Sequence, residues 1–277
     1  MAIMDPTEAT HFCAGFLPGR TPLQSFRSWA KAVPIGKRFS EGTADFDMMR
    51  DLSLCEAERL LVLASSHYRR AHDGFGEISS AWSYVTLYYG SFFAARALMG
   101  LFGCWVTDKK KIMSVQRTTP GMQQFESKSY HSPTGAGSHA LFWELYYAEM
   151  AALSPYLAVA EKFAVTTPTA GFDWQSQERN RVNYDSFEAI ELGYQFSSGF
   201  TSAGFPNSLP GVLNTQYKFL ETTLKVAGNY AHVFGLNTDA LNILCGLPDR
   251  RSRVRELVVV QAPRLLGNKA KRKVICC

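Results

Sequence analysis

The chain has 277 residues, of which 46% are apolar and 13% aromatic, enough to bury a large core and to exclude a disordered protein. Its formal net charge of +5 is unevenly placed: residues 250–277 hold nine Lys/Arg and one acid, so residues 1–249 hold 20 Lys/Arg and 23 Asp/Glu. The basicity therefore belongs to the tail. Such a tail can hold RNA or DNA phosphates or an acidic partner, or serve only as a solubilising end.

Three features limit the kinds of site and compartment that the sequence predicts: the cysteines, the start of the chain and the short motifs. The cysteines are Cys13, Cys55, Cys104, Cys245, Cys276 and Cys277. They form no Cys-x-x-Cys pair, which favours reduced thiols in a cytoplasmic protein. The first residues carry neither a basic segment nor a long apolar run, so no secretory signal is predicted. "DFD" at 45–47 lacks the Gly-Ser partner of a nucleotidyltransferase, and His67 and His72 are wrongly spaced for one metal. No metal and no cofactor are expected.

In chain order, residues 1–44 are interrupted by Pro and Gly and predict an N-terminal arm, with one short helix around "PLQSFRSWAKAV". A first long helix begins either near Phe46 or at the capping-box pattern "SLCE" of 53–56. A second helix is predicted at 78–102 and is apolar on nearly all sides. Arg96 is the only charged residue from 78 to 107, which favours a helix buried in a bundle over a membrane span. A buried Arg96 requires a carboxylate partner, with Glu58 and Glu144 as candidates.

Residues 104–137 are polar and basic, and they predict a long loop or a small β-hairpin inserted between helices. Further helices are predicted at 138–164, over "QSQERNRVNYDSFEAIELGYQF", at 212–235, and over "LNTDALNILCGL" and "PDRRSRVRELVVVQAPRLL". The predicted fold class is an all-α, antiparallel helical bundle carrying that insertion. Its predicted parts are an arm at 1–44, a helical bundle at 45–197, additional helices at 198–266 and a basic tail at 267–277.

Two stretches together resemble a known superfamily. The helix "SAWSYVTLYYGSFFAARALMGLFG" is similar to the second helix of HEPN proteins, which are all-α bundles of prokaryotic toxin, defence and RNA-processing systems. The motif "RNRVNYDS" at 179–186 is similar to the first half of their Arg-x4–6-His element, since Asn180 follows Arg179. The histidine expected at 184, 185 or 186 is absent. The resemblance covers about 45–190 and implies an HEPN-like bundle.

The resemblance implies a catalytic set of Arg179, Asn180 and Tyr184. A guanidinium takes two phosphate oxygens at once, whereas the phenol of Tyr184, with a pKa of about 10, is a poor base at neutral pH. His131 and His139 flank a Gly-rich loop, and either could replace the missing imidazole. The residues expected to bind nucleic acid are Arg181, Arg250, Arg251, Arg253, Lys271, Arg272 and Lys273. The alternative for the motif is a surface ion-pair cluster of Glu178 with its neighbouring arginines.

Two functions remain open at this point. The first is a cytoplasmic HEPN-like protein of a bacterial defence or toxin–antitoxin system, which binds RNA as a homodimer and cleaves it without metal through Arg179. The second is a non-catalytic HEPN-like scaffold that dimerises and binds a partner protein encoded nearby. The missing histidine favours the scaffold, whereas the Arg-Asn pair and the basic tail favour the RNA-binding protein. Neither requires a membrane.

Overall fold

The computed structural model describes residues 3–17, 24–74, 80–108, 111–116, 121–130, 137–184 and 211–238. The helices within these ranges are α1 Pro6–Cys13, α2 Phe26–Ala32, α3 Ala44–Gly74, α4 Ser80–Leu101, α5 Ser138–Met150, α6 Val159–Thr166, α7 Trp174–Tyr184 and α8 Gly211–Val233, with a 3-10 helix at Ala151–Tyr156. The strands are β1 Arg38–Ser40, β2 Cys104–Asp108, β3 Lys111–Gln116 and β4 Gln124–Ser129. The protein is mainly helical, with one small antiparallel sheet.

The two central helices are close to their predicted positions, and of the two predicted starts of the first one, the start near Phe46 is confirmed. α3 begins at Ala44, because the hydroxyl of Thr43 accepts the backbone N–H of Phe46 at 3.3 Å and so acts as N-cap. Ser53 lies inside α3, where its hydroxyl donates to a carbonyl of the preceding turn. α4 packs against α3, α5, α7 and α8, which explains why its sequence is apolar on nearly all sides.

The helix predicted at 138–164 is interrupted. α5 ends at Met150, a 3-10 helix follows through Pro155, and α6 begins at Val159. A proline has no N–H to donate and its ring crowds the preceding turn, so the α-helix does not continue. α7 is the described part of the predicted motif helix, and α8 matches the helix predicted at 212–235. The helices predicted beyond residue 238, the basic tail and residues 185–196 lie outside the described residues.

The insertion predicted around 104–137 as a long loop or a small β-hairpin contains β2, β3 and β4, which belong to a four-stranded antiparallel sheet in the order β1-β4-β3-β2, so the fold is mainly helical rather than all-α. The fourth strand, β1, comes from the predicted N-terminal arm, and its Phe39 is paired with Phe125 of β4. The central strand β3 shows no strand periodicity in the sequence, because its residues 112–115 are all buried. A strand that is covered on both faces shows no polar–apolar alternation.

The N-terminal residues pack into the core instead of forming an irregular arm. Phe26 lies 5.0 Å from Trp105 of β2, and Trp29 lies 5.5 Å from Phe39, measured between ring centroids. The ammonium of Lys111 in β3 donates to the carbonyls of Ala30, at 2.5 Å, and of Val33 at the end of α2. These contacts fix α2 beside the sheet.

Two of the cysteines behave as small apolar residues. Cys104 is buried in β2, and Cys55 is half-buried against the core of α3. None of the helices in the described ranges combines the length and the hydropathy that a bilayer crossing requires.

Candidate functional site

A row of aromatic and basic side chains on α4 forms the base of the candidate site. Tyr88, Phe92 and Arg96 follow one another at intervals of four residues, about one helical turn, and Tyr89 lies next to Tyr88, three residues before Phe92, so the four side chains share one side of α4. α7 packs against this side and α5 reaches it with its first turn. The site therefore gathers side chains from three helices that are far apart in sequence.

Arg179 of the predicted motif points inward from α7 onto this row. Its guanidinium carbon lies 5.2 Å from the ring centroid of Tyr88, and Nη1 donates to the hydroxyl of Tyr89 at 3.4 Å. Its Nε is buried and has no hydrogen-bond partner. No carboxylate of the described residues forms an ion pair with it. Arg179 therefore retains donor capacity for an anion.

Two polar contacts between α7 and α5 hold Arg179 in place. Gln175 and Trp174, in the first turn of α7, both donate to the hydroxyl of Tyr147, at 2.9 and 3.3 Å. Burial raises the pKa of Tyr147 to about 12, so its phenol stays protonated. One buried tyrosine thus anchors the start of the motif helix.

The remaining motif residues lie apart from this contact. Asn180 and Arg181 are exposed, and Arg181 forms an ion pair with Glu178 at 2.7 Å. The alternative of a surface ion-pair cluster thus fits Arg181 and Glu178, while Arg179 faces the interior. Tyr184 is the last residue of α7, and its side chain lies outside the described part of the chain. The same holds for every expected contact residue from Arg250 to Lys273.

His139 in the first turn of α5 meets the same tyrosine as Arg179. Its Nδ1 lies 2.6 Å from the hydroxyl of Tyr88, and its ring stacks on Phe92 with centroids 4.6 Å apart. Burial lowers the pKa of His139, and the charges of Arg179 and Arg96 lower it further. The imidazole is therefore neutral near pH 7 and can accept a proton. His131, the other candidate, lies outside the described residues.

The predicted carboxylate partners of Arg96 are wrong. The carboxylate of Glu58 accepts the backbone N–H of Asn237 at 2.8 Å, and that of Glu144 accepts the hydroxyl of Tyr130 at 3.4 Å. Within the described ranges, no carboxylate lies at ion-pair distance from Arg96. Its guanidinium carbon lies 5.5 Å from the ring centroid of Phe92 instead.

The acidic residue that acts on Arg96 most directly is Glu56 of α3. Burial lowers the pKa of Arg96, and the negative charge of Glu56 offsets part of this. Both oxygens of Glu56 are already bound by Arg59, at 2.6 and 2.7 Å. Arg96 is consequently a half-buried cation, and the carboxylate that acts on it most strongly is already bound by Arg59.

Beside Arg96 and His139 is a cavity of about 300 Å³. The residues that line it are Arg27, Phe92, Arg96, Val106, Thr107, Ser138, His139 and Phe142. Two arginines, one imidazole and two hydroxyls thus share its wall. α5 begins here, and its N-cap is Gly137, which offers no side chain to the first N–H groups of the helix. In the described ranges, no group of three or more His, Cys, Asp or Glu could hold a metal ion.

Sequence reasoning identifies Arg179 and the unusual position of Arg96, but it misses the cavity. The sequence pattern assigns Arg27 to the arm and Thr107 to the predicted insertion at 104–137, and Ser138 directly follows that insertion. No motif joins these positions, because α2, β2 and α5 meet only in the folded chain. The pattern places His139 beside the Gly-rich loop, at the start of the helix predicted at 138–164, but it does not predict the contact with Tyr88.

Comparisons with protein-family models, with curated proteins and with solved structures found no match to this chain.

Proposed function

We propose that this chain is an HEPN-like RNA-binding protein of a bacterial defence or toxin system, which cleaves RNA without metal through Arg179 and His139. The supporting observation is that both side chains contact Tyr88: the guanidinium lies over its ring and the imidazole bonds its hydroxyl. In this proposal, the imidazole missing from the motif of α7 is supplied by α5.

The chemistry divides between the two side chains. Arg179 binds the non-bridging oxygens of the scissile phosphate and balances the charge that develops in the transition state. Neutral His139 accepts the proton of the 2′-hydroxyl, whose oxygen attacks phosphorus while the 5′-oxygen leaves with a proton from solvent. The products are a 2′,3′-cyclic phosphate and a 5′-hydroxyl end. Tyr88 orients the imidazole through Nδ1 and leaves Nε2 for the substrate.

The test is an RNA cleavage assay in the presence of a chelator. Wild type should produce 2′,3′-cyclic phosphate ends, and Arg179→Ala and His139→Asn should each lower the rate by about 10²-fold or more. Arg181→Ala is the matched control, because Arg181 is an exposed arginine of the same motif; its rate should stay within a few-fold of wild type. If wild type and Arg179→Ala are equally inert, the nuclease proposal is wrong.

RNA binding is tested separately from cleavage. Phosphate contacts release counterions, so the logarithm of the binding constant should fall linearly with the logarithm of the salt concentration. Arg179→Ala should reduce the steepness of this line by about 0.7, the value for one phosphate contact on a single strand. Deleting residues 250–277 should lower it further if the basic tail binds RNA. RNA binding that is insensitive to salt would contradict phosphate binding both by Arg179 and by the basic tail.

The second candidate is the non-catalytic scaffold, in which an exposed apolar surface binds a second copy or a partner protein. Val159 and Phe163 of α6 are 73% and 65% exposed, and Phe172 is 53% exposed. Val159 and Phe163 are four residues apart on α6 and therefore lie on the same face, and exposed apolar side chains on one face favour a contact surface. Loss of a dimer in Phe163→Ser, measured by light scattering, together with inert wild-type protein in the cleavage assay, would favour this function.

A further inference from the structure

The cavity beside α5 has the charge of an anion site. Its positive charge comes from Arg27 of α2 and Arg96 of α4, and the neutral imidazole of His139 lies beside them. The hydroxyls of Thr107 and Ser138 add neutral donors, and the uncapped start of α5 adds the positive end of its dipole. Among the described residues that line the cavity, none is acidic. Its wall therefore favours a ligand with negative charge.

The absence of an ion-pair partner for Arg96 among the described residues is the strongest indication that the negative group of this ligand binds inside the cavity. A cation that is withdrawn from water normally has a carboxylate beside it, because a buried charge is costly unless it is paired. Arg96 lacks such a partner in the described part of the chain, and Glu56 is held by Arg59. An anion that binds Arg96 would explain a half-buried arginine without an ion pair on an otherwise apolar helix.

The size and the apolar part of the wall narrow the class of ligand. A volume of about 300 Å³ is at the small end of ligand pockets and fits a molecule the size of a mononucleotide. Val106 and Phe142 supply apolar wall beside the cations. A planar fork of guanidinium donors suits phosphate oxygens, and a second arginine suits the second charge of a phosphate monoester.

We propose that this cavity binds the phosphate monoester group of a nucleotide, either free or at the end of an RNA. Arg96 and Arg27 hold the phosphate oxygens, and the N-terminus of α5 with Ser138 completes the shell. The sugar and base extend over Val106 and Phe142. This site shares His139 with the proposed cleavage site but not Arg179, which does not line the cavity, and phosphate binding by Arg96 and Arg27 does not depend on cleavage.

The test is calorimetric titration of full-length protein with 5′-AMP and, in parallel, with adenosine. 5′-AMP should bind and adenosine should bind at least ten-fold more weakly, because only the monoester engages the arginines. Arg27→Gln should weaken 5′-AMP binding at least ten-fold, and Arg96→Met should abolish it. Arg27 is exposed, so its substitution tests the site without disturbing the core.

Arg38→Gln is the matched control, because Arg38 lies on β1, at the sheet edge opposite to the cavity strand β2. Its affinity for 5′-AMP should equal that of wild type. Equal binding of 5′-AMP and adenosine, or wild-type affinity in Arg27→Gln, would overturn the proposal.

A second pair of ligands identifies the source of the phosphate. A short RNA with a 5′-phosphate is compared with the same RNA carrying a 5′-hydroxyl. Tighter binding of the phosphorylated RNA that Arg27→Gln removes supports an RNA end as ligand. Binding of 5′-AMP without any preference between the two RNAs supports a free nucleotide. Failure of cleavage with retained 5′-AMP binding would refute the nuclease alone.

Discussion

Replacing Arg96 with methionine should make the ligand-free protein more stable. The guanidinium is half-buried without an ion-pair partner in the described ranges, and the effective penalty for an interior ion is several kcal/mol. Its contact with the Phe92 ring, at 5.5 Å, returns about 0.5–2 kcal/mol. Methionine fills a similar space and favours a helix. We therefore expect a gain in unfolding free energy of about 1–2 kcal/mol.

Thermal unfolding followed by circular dichroism measures this gain. For a chain of this size, the expected increase in Tm is about 2–8 °C. A saturating nucleotide, at about 100 times its Kd, should stabilise wild type by about 2.7 kcal/mol and leave Arg96→Met unchanged. The order of stability should therefore reverse when ligand is added.

The matched control is Arg59→Met on α3. Arg59 binds both oxygens of Glu56, whose side chain is only 8% exposed. Removing Arg59 leaves this carboxylate without its partner, so the Tm should fall. A fall in Tm for Arg96→Met as well would refute the reasoning, since it would mean that the guanidinium already makes a stabilising contact in the free protein.

Three further substitutions test the packing and the electrostatics around the site. Gly100→Ala should lower the free energy of unfolding by about 1–3 kcal/mol, because the added Cβ would overlap the ring of Trp105. Lys111→Met should lower it by about 1.5–3 kcal/mol, since the carbonyls at the end of α2 lose a charged donor, and it should also weaken nucleotide binding. Burial, first of all, lowers the pKa of His139 below its usual 6.5. As the pH decreases through 6.5, the imidazole is therefore protonated more readily in the unfolded chain than in the folded one, and the free energy of unfolding decreases. His139→Asn should make this decrease shallower.

Each of these has its own control and contrary result. Gly211→Ala adds a Cβ that has no atom of the described residues within 4 Å, so unchanged stability is expected there, and equal effects at both glycines would contradict the packing argument. Lys218→Met, on an exposed lysine of α8, should leave α2 and nucleotide binding intact. A His139→Asn profile that parallels wild type between pH 5 and 8 would exclude a lowered pKa for His139.

The helices can be predicted where one pattern covers many residues. α4 and α8 begin and end within two residues of their predicted bounds. α8 carries an apolar stripe with a period of 3.6 residues over six turns, whereas α4 is a long run that is apolar on nearly all sides. The start of α3 is ambiguous in the sequence, since Thr43 and "SLCE" offer similar capping chemistry and only tertiary packing selects between them. The strands are harder to predict, because β3 is buried on both faces and β1 has three residues.

The candidate site shows the same division. Arg179 can be found from the sequence because its neighbours Asn180 and Arg181 make a short polar motif within a helix. Its contact with Tyr88 cannot be derived, since helical periodicity gives a direction on α7 but not the helix that lies opposite. Asn180 and Arg181 are exposed for the same reason: they lie on other sides of the helix.

For Arg96, local sequence determines that the side chain is buried, whereas the folded chain determines which groups surround it. A single arginine among apolar residues is enough to predict that it is withdrawn from water, because the apolar side chains around it must be buried. The groups that then face it depend on how α2, α3, α4 and α5 pack, and this packing joins residues that are more than forty positions apart in sequence. Local sequence therefore specifies the helix and its burial, whereas the cavity, and with it the partner of the charge, exists only in the tertiary structure.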